Sequence, residues 1–106
     1  MSIRGTVNRR IKNLERDFAV YNRLEVSKSA LRYNYDLFAR LTNKQIIPVL
    51  KSNAYGHGIE LVAKALKTRT FPYLAVDGYF EALRIREVSK QPVLVMGAIK
   101  PENFSK

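Results

Sequence analysis

The sequence predicts an α/β fold assembled from successive βα units, and three observations predict it. From Arg23 onward, short runs rich in β-branched residues alternate with longer helical periods. One of those runs, Gln45 to Leu50, is apolar enough for a strand covered on both faces, as strands of parallel sheets are. The expected strands begin about 20 to 27 residues apart, which leaves room for a right-handed helical crossover between parallel neighbours. This spacing suits a closed barrel and an open doubly wound sheet equally.

Residues 1–22 differ in character from the rest. Ile3, Val7, Ile11, Leu14 and Phe18 recur at steps of three or four among Arg4, Arg9, Arg10, Lys12 and Arg16, the pattern of a basic amphipathic helix. Gly5 and Thr6 weaken it. We expect this extension to lie against the body of the protein, with a membrane or acidic-partner surface as the second reading.

The first unit begins with a strand at Arg23 to Val26. Ser27 or Ser29 then caps a helix whose apolar positions are Ala30, Leu31, Leu37, Phe38 and Leu41, and Asn43 ends it. Gln45 to Leu50 forms the second strand, in which Pro48 withholds an N–H and so calls for a bulge or an edge. The turn Asn53 to Gly58 leads into a second helix with Ile59, Val62, Ala63 and Leu66 on one stripe and Glu60, Lys64 and Lys67 away from it. Tyr73 to Val76 is the third strand. A third helix, Phe80 to Val88, turns Ala82, Leu83 and Val88 inward and leaves Glu81, Arg84 and Glu87 in water. Pro92 opens a fourth strand, Val93 to Met96.

At 106 residues the chain holds one domain at most. It contains no cysteine, which excludes disulfides and thiolate metal sites, and its one histidine has no partner for an imidazole site. No apolar run approaches the roughly 20 residues of a membrane span, and the basic amino terminus lacks the apolar core of a secretory signal. A cytoplasmic location fits these features. The net charge of +10 makes a nucleic-acid or membrane-surface module the rival function. Yet the cations are spread over every segment, and no helix-turn-helix, zinc-finger or RNP-like signature organises them, so we expect no nucleic-acid partner.

The chemistry concentrates in Pro48 to Gly58. Lys51 stands where a buried strand ends and turns, and the carboxyl ends of strands form the ligand rim of α/β folds. Partial desolvation there favours the neutral amine that condenses with an aldehyde. Gly56 and Gly58 let the backbone turn tightly and approach a ligand, while Tyr55 and the peptide N–H groups can face a phosphate. The plain alternatives are a solvated lysine, a packing tyrosine, and a capping or turn role for His57.

The run Val49-Leu50-Lys51-Ser52-Asn53-Ala54-Tyr55-Gly56-His57-Gly58 closely resembles the pyridoxal-phosphate attachment motif of alanine racemases, typically V-x-K-A-N-A-Y-G-H-G. Glu25-Val26 with Ala30 to Asn34, Leu74 to Val76 with Glu81 to Leu83, and Pro92 to Gly97 extend the resemblance from about Arg23 to the end. It implies the first units, about four strands, of a TIM-like (β/α)8 barrel at residues 23–106, in a pyridoxal 5'-phosphate enzyme of fold type III.

In that family a β domain follows the barrel and two subunits share each active site, so the resemblance implies a homodimer for the full-length form. Lys51 would form the Schiff base with the cofactor and serve as the base for D-alanine. Tyr55 would contact the phosphate, and Val49 and Met96 would line the cofactor pocket. The second catalytic base, a tyrosine of the other subunit, has no counterpart here, and the arginine near the pyridine nitrogen falls beyond Lys106. Ser52 replaces the usual alanine and Met96 a common leucine, both small changes.

The full-length product would interconvert L- and D-alanine in the cytoplasm and supply peptidoglycan, whereas the 106-residue chain alone is expected not to racemise. Another fold-type III racemase or decarboxylase, or an inactive remnant, would also keep a strand-end lysine; the intact Asn53 to Gly58 run favours alanine racemase.

Overall fold

The computed structural model describes residues 23–105, so the amphipathic pattern of residues 1–22 lies outside the described residues. In chain order the elements are helix α1 (Lys28–Leu41), a short helical turn (Lys51–Tyr55), helix α2 (Ile59–Leu66), strand β1 (Leu74–Val76), helix α3 (Tyr79–Arg86), strand β2 (Val93–Val95) and a 3-10 turn (Pro101–Asn103).

The three helices form where their spacing placed them. Ser27 caps α1 by accepting the Ala30 N–H at 3.2 Å, and the helix stops at Leu41 with extended Thr42 following. Helix α2 carries the densest apolar stripe, and Ile59, Val62, Ala63, Ala65 and Leu66 are all buried. Helix α3 begins one residue earlier than Phe80 and ends two earlier than Val88, the ordinary fraying of helix ends.

The strands are fewer and shorter than the four expected. β1 and β2 pair in parallel, Leu74 with Val93, Ala75 with Leu94 and Val76 with Val95. Of the expected strand Gln45 to Leu50, only Val49 forms a bridge, parallel to Ala75. Pro48 contributes only its carbonyl, which accepts the Ala75 N–H at 2.9 Å, and Leu50 donates to the Ala75 carbonyl at 2.8 Å. Arg23 to Val26 is not a strand. Its backbone has no partner edge among the described residues, Leu24 is 76% exposed, and Arg23 and Glu25 form a solvated ion pair at 3.1 Å.

The core lies on one side of this small sheet. Leu50, Leu74 and Val76 pack with Ile59, Val62, Ala63 and Leu66 of α2 and Ile85 of α3, and Leu31 and Tyr35 of α1 close its margin. Residues of alternate parity point the other way. Val49 and Leu94, which flank buried Ala75 in register, remain 45% and 44% exposed because no helix covers that face. The expectation that Gln45 to Leu50 is covered on both faces therefore fails: Leu50 is buried, and Ile47 and Val49 are open. Helices on a single face are what a barrel requires, whereas a doubly wound sheet needs them on both.

Polar contacts fix α1 and the loops at the far end of the sheet. Arg69 grips Asp36 through Nε and Nη2 at 2.8 and 2.7 Å, Arg32 donates to the Ala65 carbonyl at 2.7 Å, and the Tyr35 hydroxyl donates to the Thr70 carbonyl at 2.9 Å. At the rim, Gly97 donates to the Asp77 carbonyl at 2.9 Å, and a Cβ on Gly97 would lie 2.3 Å from that oxygen. Replacing Gly97 with alanine therefore pries the end of β2 from β1, and a urea titration should show a loss of about 1–3 kcal/mol. Gly78→Ala, where no atom lies within 4 Å of the new Cβ, should leave the midpoint unchanged or slightly raised.

Candidate active site on the strand-end rim

Lys51 follows the Val49 bridge and Leu50 directly, so it leaves the sheet at its carboxyl-end rim, half-buried. Extending the register places it level with Asp77 after β1 and Met96 after β2. Leu50 faces the helices at 1% exposure, and its ψ of 14° already departs from the extended path, so the chain turns off the sheet at Lys51. Met96, 48% exposed and held by its N–H to the Val76 carbonyl at 2.8 Å, shares the open face with Val49 and Leu94. The structure thus brings Val49 and Met96 to one face of the sheet, with Lys51 at its rim.

The backbone beyond Lys51 takes an uncommon course. Ser52, Asn53, Ala54 and Tyr55 all have positive φ, from 51° to 55°, which makes one turn of left-handed helix. Each L-residue in that conformation costs roughly 1–2 kcal/mol from the approach of Cβ to the following carbonyl, asparagine least. The sequence alone places the turn's freedom at Gly56 and Gly58. Both do have positive φ, but the left-handed path is already set four residues earlier, by residues with side chains.

Asn53 offsets that strain at three atoms. Its carbonyl accepts Gly56 N–H at 3.2 Å and Gly58 N–H at 3.0 Å. Its Oδ1 accepts Ile59 N–H at 3.0 Å, capping α2 from six residues upstream, and also accepts Arg84 Nη2 at 3.0 Å. Its own N–H points to Glu81 Oε1 at 3.4 Å. Arg84 in turn holds Glu60 through Nε at 2.5 Å and Nη2 at 2.7 Å. Glu60, Glu81 and Arg84, expected to stand in water, are instead partly covered and joined to the turn. No local pattern could reveal this, since the partners lie 24 to 31 residues apart.

Tyr55 projects from the turn at 69% exposure, with nothing packed over it to make it a core residue. His57 fills the turn role: its Nδ1 lies 3.0 Å from the Ala54 carbonyl, which also accepts the His57 N–H at 3.1 Å. Beside the turn, an open groove of about 290 Å³ runs between Tyr55, Gly56 and His57 on one wall and Leu24 to Ser27 with Ala30, Leu31 and Asn34 on the other. Lys51, Val49 and Met96 do not line it, so the amine and the tyrosine border different surfaces of the same rim. Among the described residues, no group of three His, Asp or Glu side chains is placed to hold a metal ion.

The Arg84 hydrogen bond holds the Glu60 carboxyl below its usual range, against a smaller opposing effect of desolvation. A depressed carboxylate contributes stability that is complete above its unfolded value and lost as pH falls through its folded value.

The sequence profile of the family described as "Alanine racemase, N-terminal domain" matches residues 26–106. An alanine racemase of Leptospira interrogans is 40% identical over 80 residues, which is 73% of this chain and 21% of that protein. One from Carboxydothermus hydrogenoformans is 38% identical over 84 residues, covering 77% and 23%. The solved structure of an alanine racemase from Clostridium difficile superposes with a TM-score of 0.63 at 35% identity, over 70% of this chain and 20% of that one. The chain therefore spans about a fifth of the length of the curated relatives it matches.

Two outcomes test the geometry of the turn. Ser52→Gly should raise stability by about 1 kcal/mol in urea unfolding, since glycine takes a positive φ without penalty. Urea midpoints should fall between about pH 7 and about pH 3, and Glu60→Gln should remove part of that fall, the part being small because the pair is partly solvated.

Proposed function

The chain belongs to the alanine racemase N-terminal domain family, and on that ground we propose that it is the amino-terminal portion of an enzyme that interconverts L- and D-alanine with pyridoxal 5'-phosphate. In this reading residues 23–106 are the first staves of an (β/α)8 barrel, preceded by the basic extension 1–22. The complete protein is a cytoplasmic homodimer that supplies D-alanine for peptidoglycan. Helices on one face and apolar side chains on the other support the barrel. Among the described residues no helix is long and apolar enough to cross a membrane.

The observation that carries the proposal is the placement of Lys51. A strand-end amine stands at the edge of an apolar face bearing Val49 and Met96, next to a turn that exposes a phenol hydroxyl. The cofactor has an aldehyde, an aromatic ring and a phosphate, and the rim offers an amine, an apolar face and, across the turn, a hydroxyl to match them. Lys51 would hold the aldehyde carbon, Val49 and Met96 would flank the ring, and the Tyr55 hydroxyl would donate to the phosphate. When bound, the cofactor supplies an electron sink for the charge left as the α-proton of alanine departs.

The chain's own residues do the rest. With the cofactor bound, the Lys51 amine would take up and return the α-proton on one face of the substrate. The left-handed turn fixes where the tyrosine hydroxyl stands relative to that amine.

A nucleic-acid module has less support: the described cations are drawn into Asp36–Arg69 and Glu60–Arg84 pairs or spread over separate elements. Treating the chain with pyridoxal phosphate, reducing with borohydride and mapping peptides should place the label at Lys51, and Lys51→Ala should abolish that peptide's modification. A label distributed among the other lysines, with Lys51 untouched, contradicts the assignment.

A further inference from the structure

Two side chains on successive turns of α3 reach across the rim to Asn53, Glu81 to its backbone N–H and Arg84 to its side-chain Oδ1. The Glu81 carboxylate accepts the Asp77 N–H through Oε2 at 3.1 Å and lies 3.4 Å from the Asn53 N–H through Oε1. One carboxylate therefore ties the end of β1 to the left-handed turn of the neighbouring strand. Arg84, three residues on, donates to Asn53 Oδ1 at 3.0 Å and clamps Glu60 on α2. Asn53, the residue both of them reach, is two positions beyond Lys51.

As a source of stability this network is modest, because Arg84 and Glu60 are 43% and 31% exposed and such pairs contribute little in water. Its geometry is specific, however. It engages the one run of positive-φ residues with side chains among the described residues, and it does so from a neighbouring βα unit. Without the contacts Ser52 to Tyr55 are free to relax toward ordinary angles, and Lys51 is the residue joining that run to the anchored Leu50.

We propose that Glu81 and Arg84 are positioning residues for Lys51: they hold the left-handed turn and thereby the direction in which the amine leaves the rim. Neither touches the amine. The inference deepens the functional reading above and rests on Lys51 being the reactive lysine.

The test uses the 106-residue chain with pyridoxal phosphate and borohydride, reading the labelling rate of each lysine by peptide mass alongside the melting temperature. The variants are Glu81→Met and Arg84→Met, with Asp36→Asn as a control that breaks a comparably exposed ion pair at the far end of the sheet. Each α3 variant should slow labelling of Lys51 by about tenfold, the order expected for a displaced reactive group, without changing the other lysines. Asp36→Asn should lower the melting temperature at least as much and leave Lys51 labelling as it was.

An equal loss of Lys51 labelling in Asp36→Asn makes the effect one of general stability and overturns the proposal. Unchanged labelling in both α3 variants, with normal labelling of the parent chain, overturns it while leaving the role of Lys51 standing. A parent chain labelled everywhere except Lys51 overturns both.

Discussion

Everything at the rim depends on Asn53 holding a left-handed turn together. Four consecutive residues with side chains adopt positive φ there, a conformation an isolated chain would abandon. The asparagine suits the site because its short amide tolerates these angles and can act as acceptor for two separate donors. Its main-chain carbonyl closes the turn through Gly56 and Gly58, while its side chain starts α2 at Ile59 and anchors α3 through Arg84. One residue thus links the turn to both helices that cover the sheet.

The sheet itself separates a core face from an open face by the parity of its residues. Leu50, Leu74 and Val76 face the helices and make the core, while Val49, Leu94 and Met96 face the open side. Lys51 directly follows Leu50, a side chain with 1% exposure, so the rim position is tied to the core. Such adjacency transmits rigidity from the core to the site without burying the amine in it.

Helices were legible in the sequence because each one carries its own signal. The stripe Ile59, Val62, Ala63, Leu66 and the Ser27 cap are local, and the structure returns both. Strands were less so, since pairing depends on a neighbour that the strand's own residues do not encode: Arg23 to Val26 has the composition but no partner edge, and Gln45 to Leu50 pairs only around Val49. The motif singled out the segment with the unusual turn, yet its backbone path was not readable, because nothing in Ser52-Asn53-Ala54-Tyr55 announces four positive φ angles. Glu81 and Arg84 looked like ordinary solvent-facing charges for the same reason, their partners being remote in sequence.

The central claim, that Lys51 is presented by a left-handed turn, is tested most directly by the signs of four backbone angles in solution. Scalar couplings and cross-correlated relaxation on isotopically labelled chain report φ at Ser52, Asn53, Ala54 and Tyr55. All four should be positive. Negative values across the four would mean an ordinary helical or extended exit from the strand, and the account of how the lysine is held would be wrong.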